Sequence, residues 1–278
     1  MTVNFLEYQP MATDTLKILA FKVVFTNLNT SGRIGPTTLG SNYTGEDHDG
    51  QVTLSSGVQQ WTIPYTGDYR IKAIAAAGGY DGHSNSFQYR GRGARMIGTF
   101  RLTKGEVIQI LVGQEGGINT VEKSSGGGGG TFVVRGANTP LIIAGGGGGV
   151  NAGGGGGGGF YSSGISGKNF NGTKGWSGEG GKGFLQGGLG GRAWYDDVDG
   201  GFGGGGGAYG WGRGGGGGGG GGYSGGSRGA GGYDTYASCG GGGGSYSDGN
   251  NQDNECCYNN AGHGQVTITF LELKKTFI

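Results

Sequence analysis

The chain has 278 residues, of which 78 are glycine, while 33% are hydrophobic and 14% are charged. Its 20 basic and 19 acidic residues leave a net charge of +1, which excludes attachment to phosphate backbones or anionic lipid by bulk charge. The lack of a strict Gly-X-Y period excludes a collagen triple helix, and the low charge excludes the highly charged class of disordered chain.

The N-terminal stretch from Met1 to Phe25 has no basic region followed by an apolar run and a small-residue cleavage site, so it does not read as a signal peptide. A processed secreted chain and a chain that bypasses the secretory route both stay open. No run of about 18 apolar residues occurs, so insertion into a membrane is not expected.

The first ~145 residues read as an antiparallel β module. Leu16 to Phe25 is a buried strand in this reading, and Gln51 to Pro64 holds two short strands around a turn. In TGDYRIKAIAAAGG the alternation puts Tyr69, Ile71, Ala73 and Ala75 on a core face, opposite Arg70 and Lys72. Two further runs, Met96 to Leu102 and Glu106 to Val112, are split by the turn signal Lys104-Gly105. Thr131 to Arg135 and Pro140 to Ala144 repeat the device around a Gly-Ala-Asn-Thr turn. The last strand, Gln265 to Leu271, follows the glycine-rich region. The glycine region is therefore inserted into one sheet system, and the predicted fold class is a mainly β sandwich of jelly-roll type with little or no α-helix. The predicted β module spans residues 1–144 and is completed by 264–273; the glycine-rich part spans 145–263, with the tract 126–130 contributing.

Six uninterrupted runs of five or more glycines lie between Gly126 and Gly244: 126–130, 145–149, 153–159, 203–207, 214–222 and 240–244. Flexible linkers are usually diluted with serine and other polar residues. These tracts instead end on aromatics, among them Phe160, Phe202, Tyr209, Trp211, Tyr223 and Tyr246. Fixing nine glycines costs on the order of 10 to 20 kcal/mol of backbone entropy with no side chain to offset it. An α-helix is a poor answer, because each glycine is ~1 kcal/mol worse than alanine there. The ordered alternative is the extended threefold helix, rising about 3.1 Å per residue, whose peptide groups all point outward. Several such tracts, packed closely because they lack side chains, can satisfy one another in a bundle.

Three cysteines, Cys239, Cys256 and Cys257, lie near the C-terminal end. A trans peptide strains a disulfide between neighbours, so Cys239 is expected to pair with Cys256 or Cys257. The cysteines and histidines show no metal-ligand spacing, and no phosphate loop, nucleophile motif or catalytic constellation is present. No enzyme activity, cofactor or metal is therefore expected. The Arg-Gly pairs at Arg90, Arg92, Arg95, Arg213 and Arg228 resemble RNA-binding segments, but the preferred reading is solvated loop charge, without nucleic-acid binding. Asn29, Asn42 and Asn171 stand in glycosylation sequons. Trp176, Trp194, Tyr195, Trp211, Tyr223 and Tyr233 are the candidate residues for capping the bundle or contacting a partner, since tyrosine and tryptophan are favoured anchors.

The stretches GVQQWTIPYTGDYRIKAIAAAGG, IGTFRLTKGEVIQILVGQEGG, GGGGGTFVVRGANTPLIIAGGGGG and GHGQVTITF together resemble the glycine-rich extracellular region of the anaplastic lymphoma kinase and leukocyte tyrosine kinase receptors, over roughly Trp61 to Phe270. The resemblance implies a tumour-necrosis-factor-like β module joined to a bundle of polyglycine helices. In those receptors it implies a basic cytokine bound through acidic residues flanking a Gly-His-Gly motif. Here that motif is Gly262-His263-Gly264, and its flanks are Ala261 and Gln265.

The expected function is a non-enzymatic module, extracellular or on a cell surface, that presents aromatic loops to a protein or glycan partner. The alternatives are a self-assembling subunit of a filament, virion coat or phage tip, binding copies of itself, and a ligand-binding ectodomain fragment of a receptor.

Overall fold

The computed structural model describes residues 21–82, 86–150, 160–166, 168–172, 177–209, 217–227, 229 and 240–271. Among the described residues, eleven strands form two antiparallel sheets. Sheet one runs, from edge to edge, through β1 (Lys22–Phe25), β11 (Gln265–Leu271), β4 (Gly67–Ile74), β5 (Gly93–Leu102) and β10 (Glu255–Asn259). Sheet two runs through β2 (Val52–Ser55), β3 (Val58–Thr62), β6 (Val107–Leu111), β7 (Thr131–Arg135), β8 (Thr139–Ala144) and β9 (Tyr246–Ser247). Among the described residues, helix is confined to α1 (Ser86–Tyr89) and two 3-10 turns, Lys168–Phe170 and Phe184–Gln186.

Period-two alternation builds sheet one. Tyr69, Ile71 and Ala73 on β4 are fully buried, as are Val266 and Ile268 on β11. They share one hydrophobic cluster with Trp61, Ile108, Ile110, Val133 and Ile142 of sheet two, so the sheets pack on each other across a common core. The last strand lies between β1 and β4, pairing Val266 with Phe25 and with Ala73. After β8 the chain runs into the glycine region, then adds β9 to the edge of sheet two and β10 to the edge of sheet one before β11 inserts between β1 and β4.

Sheet two differs in having a second buried face. Leu111, Phe132, Val134 and Ile143 form a separate cluster with Phe160, Phe184 and Phe202 from the glycine region. β7 and β8 accordingly read as continuous apolar runs, as strands covered on both sides do. Phe202 reaches between Gly35 and Gly57, where an added Cβ would come within 2.6 Å of its ring. The glycine region is anchored to sheet two through these three phenylalanines.

The described glycine tracts are neither α-helical nor part of a sheet, yet their backbone hydrogen bonds follow a rule. Gly127 and Gly130 donate to Gly206 and Gly203, while Gly128 between them donates to Gly147 and Gly129 to Gln114. Gly146 and Gly149 donate to Gly221 and Gly218, and Gly218 and Gly221 donate to Ser125 and Gly128. Gly240 and Gly243 return to Gly149 and Gly146. In the tracts 126–130, 145–149, 217–222 and 240–244 every third of these amides turns to the same neighbouring segment and the amides between turn elsewhere, whereas in 203–207 Gly203 and Gly204 both donate to Gly188 and Gly206 donates to Gly219. Many of these positions have no room for a side chain: a Cβ at Gly129 would sit 1.7 Å from the Phe202 carbonyl oxygen, and one at Gly218 would sit 1.8 Å from that of Gly206, although one at Gly242 would meet its nearest neighbour only at 3.5 Å.

Several sequence boundaries move. β5 starts at Gly93 rather than Met96, and β9 and β10 lie in the C-terminal part of the region expected to be bundle. The first strand is described only from Phe21 onward, so residues 16–20 of the expected strand, like the tract 153–159 and Gly214 to Gly216, lie outside the described residues.

Candidate recognition surface

The loop from Arg192 to Asp199 joins two glycine segments, and its base is fixed by one acid. Glu179, almost fully buried, accepts from the Arg192 backbone N–H (3.1 Å) and Nε (2.9 Å) and lies 3.4 Å from Lys182 Nζ. Burial raises the Glu179 pKa, but the Arg192 hydrogen bonds and the Lys182 charge outweigh it, and the carboxyl is held below its ordinary value. Asp199 closes the other side by accepting from Ala193 N–H at 2.6 Å and lies 3.8 Å from Arg33. There burial prevails and raises its pKa, against the Ala193 bond and the Arg33 charge.

Between these anchors the backbone is stapled to the next segment by Trp194 N–H to Ala208 O, Tyr195 N–H to Tyr209 O and Ala208 N–H to Val198 O. Asp196 and Asp197 make the tip, with φ of 58° and 48°, the two left-handed residues a tight turn of this hand requires. Trp194 and Tyr195 are thereby held with 40% of each surface exposed. Their rings continue an edge-to-face series, Phe170 to Trp194 at 5.5 Å, Trp194 to Tyr195 at 5.9 Å and Tyr195 to Tyr209 at 5.5 Å. The Arg192 guanidinium lies 5.0 Å over Phe170. Aromatic faces, carboxylates and a cation thus share one preformed surface, suited to a ligand with both apolar and hydrogen-bonding parts.

Tyr223 has a different setting. It is half-buried and stacked between Tyr246 (4.7 Å) and Phe160 (6.3 Å), in a column that continues through Phe184 to Phe132 on β7. Trp176, Trp211, Tyr233, Cys239, Arg213 and Arg228 lie outside the described residues. Cys256 and Cys257 are exposed free thiols. Asn29, Asn42 and Asn171 are exposed, and Asn29 Nδ2 donates to Asn42 Oδ1 at 2.7 Å, so the first two sequons adjoin.

Gly262-His263-Gly264, the motif already noted in the sequence, forms a second polar corner. His263 Nδ1 accepts from Glu115 N–H (3.0 Å), Gly262 N–H donates to Glu115 Oε1 (3.0 Å), and that oxygen also binds Arg90 at 2.5 Å. Arg90, read from the sequence as a solvated charge, is 4% exposed and stacked under Tyr80 and Phe87. Its partners lie 25 and 170 residues away in the chain, beyond the reach of any sequence motif. Burial lowers the His263 pKa, although the Glu115 charge opposes this. Among the described residues no helix is long and apolar enough to cross a membrane.

No family model matches the chain. An alignment of 100 residues that covers 34% of this chain shows 41% identity to leukocyte tyrosine kinase receptor of Mus musculus. That stretch covers 11% of the receptor, so this chain is similar to a limited part of a much longer protein.

Proposed function

We propose that the chain is a non-enzymatic recognition module of an extracellular surface, in which a tumour-necrosis-factor-like β-sandwich and an inserted polyglycine-helix bundle form a rigid frame for aromatic loops. The frame divides into residues 1–144 with 264–273, and 145–263 with the tract 126–130. The period of three in the glycine hydrogen bonds supports the polyglycine reading, because the threefold extended helix turns its peptide groups by a third of a revolution per residue. Tyr223 and Tyr246 serve as caps, and the partner is a surface protein or glycan.

The observation that carries the recognition reading is the pinned Arg192–Asp199 loop, with Trp194 and Tyr195 exposed on a base that cannot shift without breaking the Glu179 contacts. Preformed aromatic anchors lose little entropy on binding. The test is binding of labelled chain to cell surfaces and glycan arrays. Trp194→Ala combined with Tyr195→Ala is expected to lower affinity at least about tenfold, the range of anchor residues, with an unchanged melting temperature. Undiminished binding by the double variant would sink the reading.

A second reading, favoured by the 41% identity to a receptor stretch, makes the chain a ligand-binding ectodomain portion of a receptor. Its contact surface is then the corner of Glu115 and His263, braced from behind by the buried Arg90. In that case a soluble protein ligand is captured with equal affinity by the Trp194/Tyr195 double variant and with reduced affinity by His263→Ala.

A further inference from the structure

The corner at the start of β11 is held by a hydrogen bond that exists in only one protonation state. His263 Nδ1 accepts from the Glu115 backbone N–H at 3.0 Å, so this nitrogen carries no proton and the neutral ring keeps its proton on Nε2. Four stretches of chain are tied together around that bond. Gly262 N–H donates to Glu115 Oε1 at 3.0 Å, Gly264 N–H donates to Gly113 O at 2.8 Å, and Ala77 N–H donates to Gly262 O at 3.1 Å. Arg90 joins the same acid, through Nη1 to Glu115 Oε1 at 2.5 Å, and reaches the turn itself through Nε to Asn260 O at 2.8 Å. Gly262, at φ 78°, supplies the left-handed residue on which the chain turns.

A proton on Nδ1 is incompatible with this arrangement. It turns the acceptor into a donor facing the Glu115 N–H, and the bond between them is lost. The imidazolium is also drawn to the Glu115 carboxylate, whose Oε1 is already engaged by Gly262 N–H and Arg90, so a shift of that carboxylate toward the ring takes it from both partners. Among the described residues Glu115 is the charged group that faces the ring from segment 113–117, with Arg90 behind it, and the turn from Asn259 to Gly262 carries no charge. Burial holds the His263 pKa below its ordinary value of 6.5 against the Glu115 charge, so at neutral pH the ring is uncharged and the corner closed.

We propose that His263 is a proton-operated latch on the Glu115 corner: neutral, it fixes Glu115 and the turn into β11, and protonated, it lets them part. The corner then changes shape and charge together in mild acid, gaining one positive charge on the ring as the Glu115 contacts are released. Where the corner contacts a ligand, which rests on the receptor reading above, that ligand is held at neutral pH and let go in acid. The latch itself requires no partner.

The test is therefore made on the free, intact chain. NMR between about pH 7.5 and about pH 4 follows the His263 ring and the exchange protection of the Glu115 amide, corrected for the intrinsic effect of pH. Protection of Glu115 is expected to fall at least about tenfold, with the midpoint of the ring and below pH 6.5. His263→Asn places an amide oxygen near the position of Nδ1, an acceptor that does not titrate, and protection in this variant is expected to stay level over the same range. The parent chain decides whether ring and amide are coupled, and the variant assigns the coupling to this ring. A ring that titrates while Glu115 stays protected overturns the proposal, and so does a ring still neutral at about pH 4. An equal loss of protection in a His263→Asn chain shown by its melting temperature to be folded overturns it as well. No ligand enters the measurement, so failure of the receptor reading leaves these outcomes untouched, and failure of the latch leaves that reading standing.

Discussion

The β module and the glycine region reach order by opposite means. In the first, side chains do the work: Trp61, Tyr69, Phe25 and their neighbours are removed from water, and the backbone ladder follows. In the second, the main-chain groups of adjacent tracts bond directly, and the close approach that allows it exists because side chains are absent. A structure held by what fills it fails when something is taken away. One held by what is missing fails when something is added.

The sharpest way to break that contrast is a pair of substitutions. Trp61→Ala empties a fully buried site and is expected to cost about 3 to 5 kcal/mol. Gly129→Ala adds one methyl group against the Phe202 carbonyl at 1.7 Å, and we expect a loss of about 3 kcal/mol, at the upper end for overpacking. Denaturant midpoints at constant slope measure both. A Gly129→Ala protein as stable as the parent would remove the case for a side-chain-free bundle.

Acid is expected to act more mildly, and on the β module and the junction rather than on the tracts, which carry few titratable groups. His48 packs against Phe25 and Tyr43 with 1% exposure. Burial lowers its pKa from 6.5, opposed by the Glu46 charge, by the Val24 backbone carbonyl and by the charges of Asp47 and Asp49. The His263 pKa is likewise lowered. As pH falls below 6.5 the unfolded chain binds protons that the folded chain refuses, so stability is constant above that value and declines beneath it. Each unit of depression is worth about 1.4 kcal/mol. Melting curves between pH 8 and pH 5 read the slope, and His48→Phe should flatten part of it; an unaltered slope in that variant would assign the acid response elsewhere.

The smallest effect expected is that of Gly136→Ala. This glycine lies in the β7–β8 turn at φ 55° with nothing within 4 Å of an added Cβ, so only the left-handed backbone penalty of about 1 kcal/mol applies. The same chemical change thus separates a glycine that serves a turn from one pressed between neighbouring backbones.

Much of the β module was legible because its signals are local. The period-two pattern of β4 and the bounds of β11 can be read from the residues themselves, as can the turns at Lys104-Gly105 and Gly136. β10 was not legible: its side chains are almost all exposed, so ECCYN carries no apolar alternation, and its pairing with β5 depends on a contact about 160 residues away. The anchoring role of Phe202 was hidden for a related reason, since its pocket is made by Gly35 and Gly57. At the candidate surface, the aromatic identity of Trp194 and Tyr195 was visible in the sequence. The Glu179 base that orients them, and the burial of Arg90, arise from charges meeting across the fold.

The three-residue hydrogen-bond period also bears on how such a region can change length. Inserting or deleting three glycines shifts a tract by a full repeat and returns every later amide to a neighbour it can bond. A change of one or two rotates all later peptide groups away from their partners. Insertions of three glycines are therefore expected to lower the melting temperature less than insertions of one or two, so that a register, ordinarily a property of strands, would be measurable in tracts that belong to no sheet.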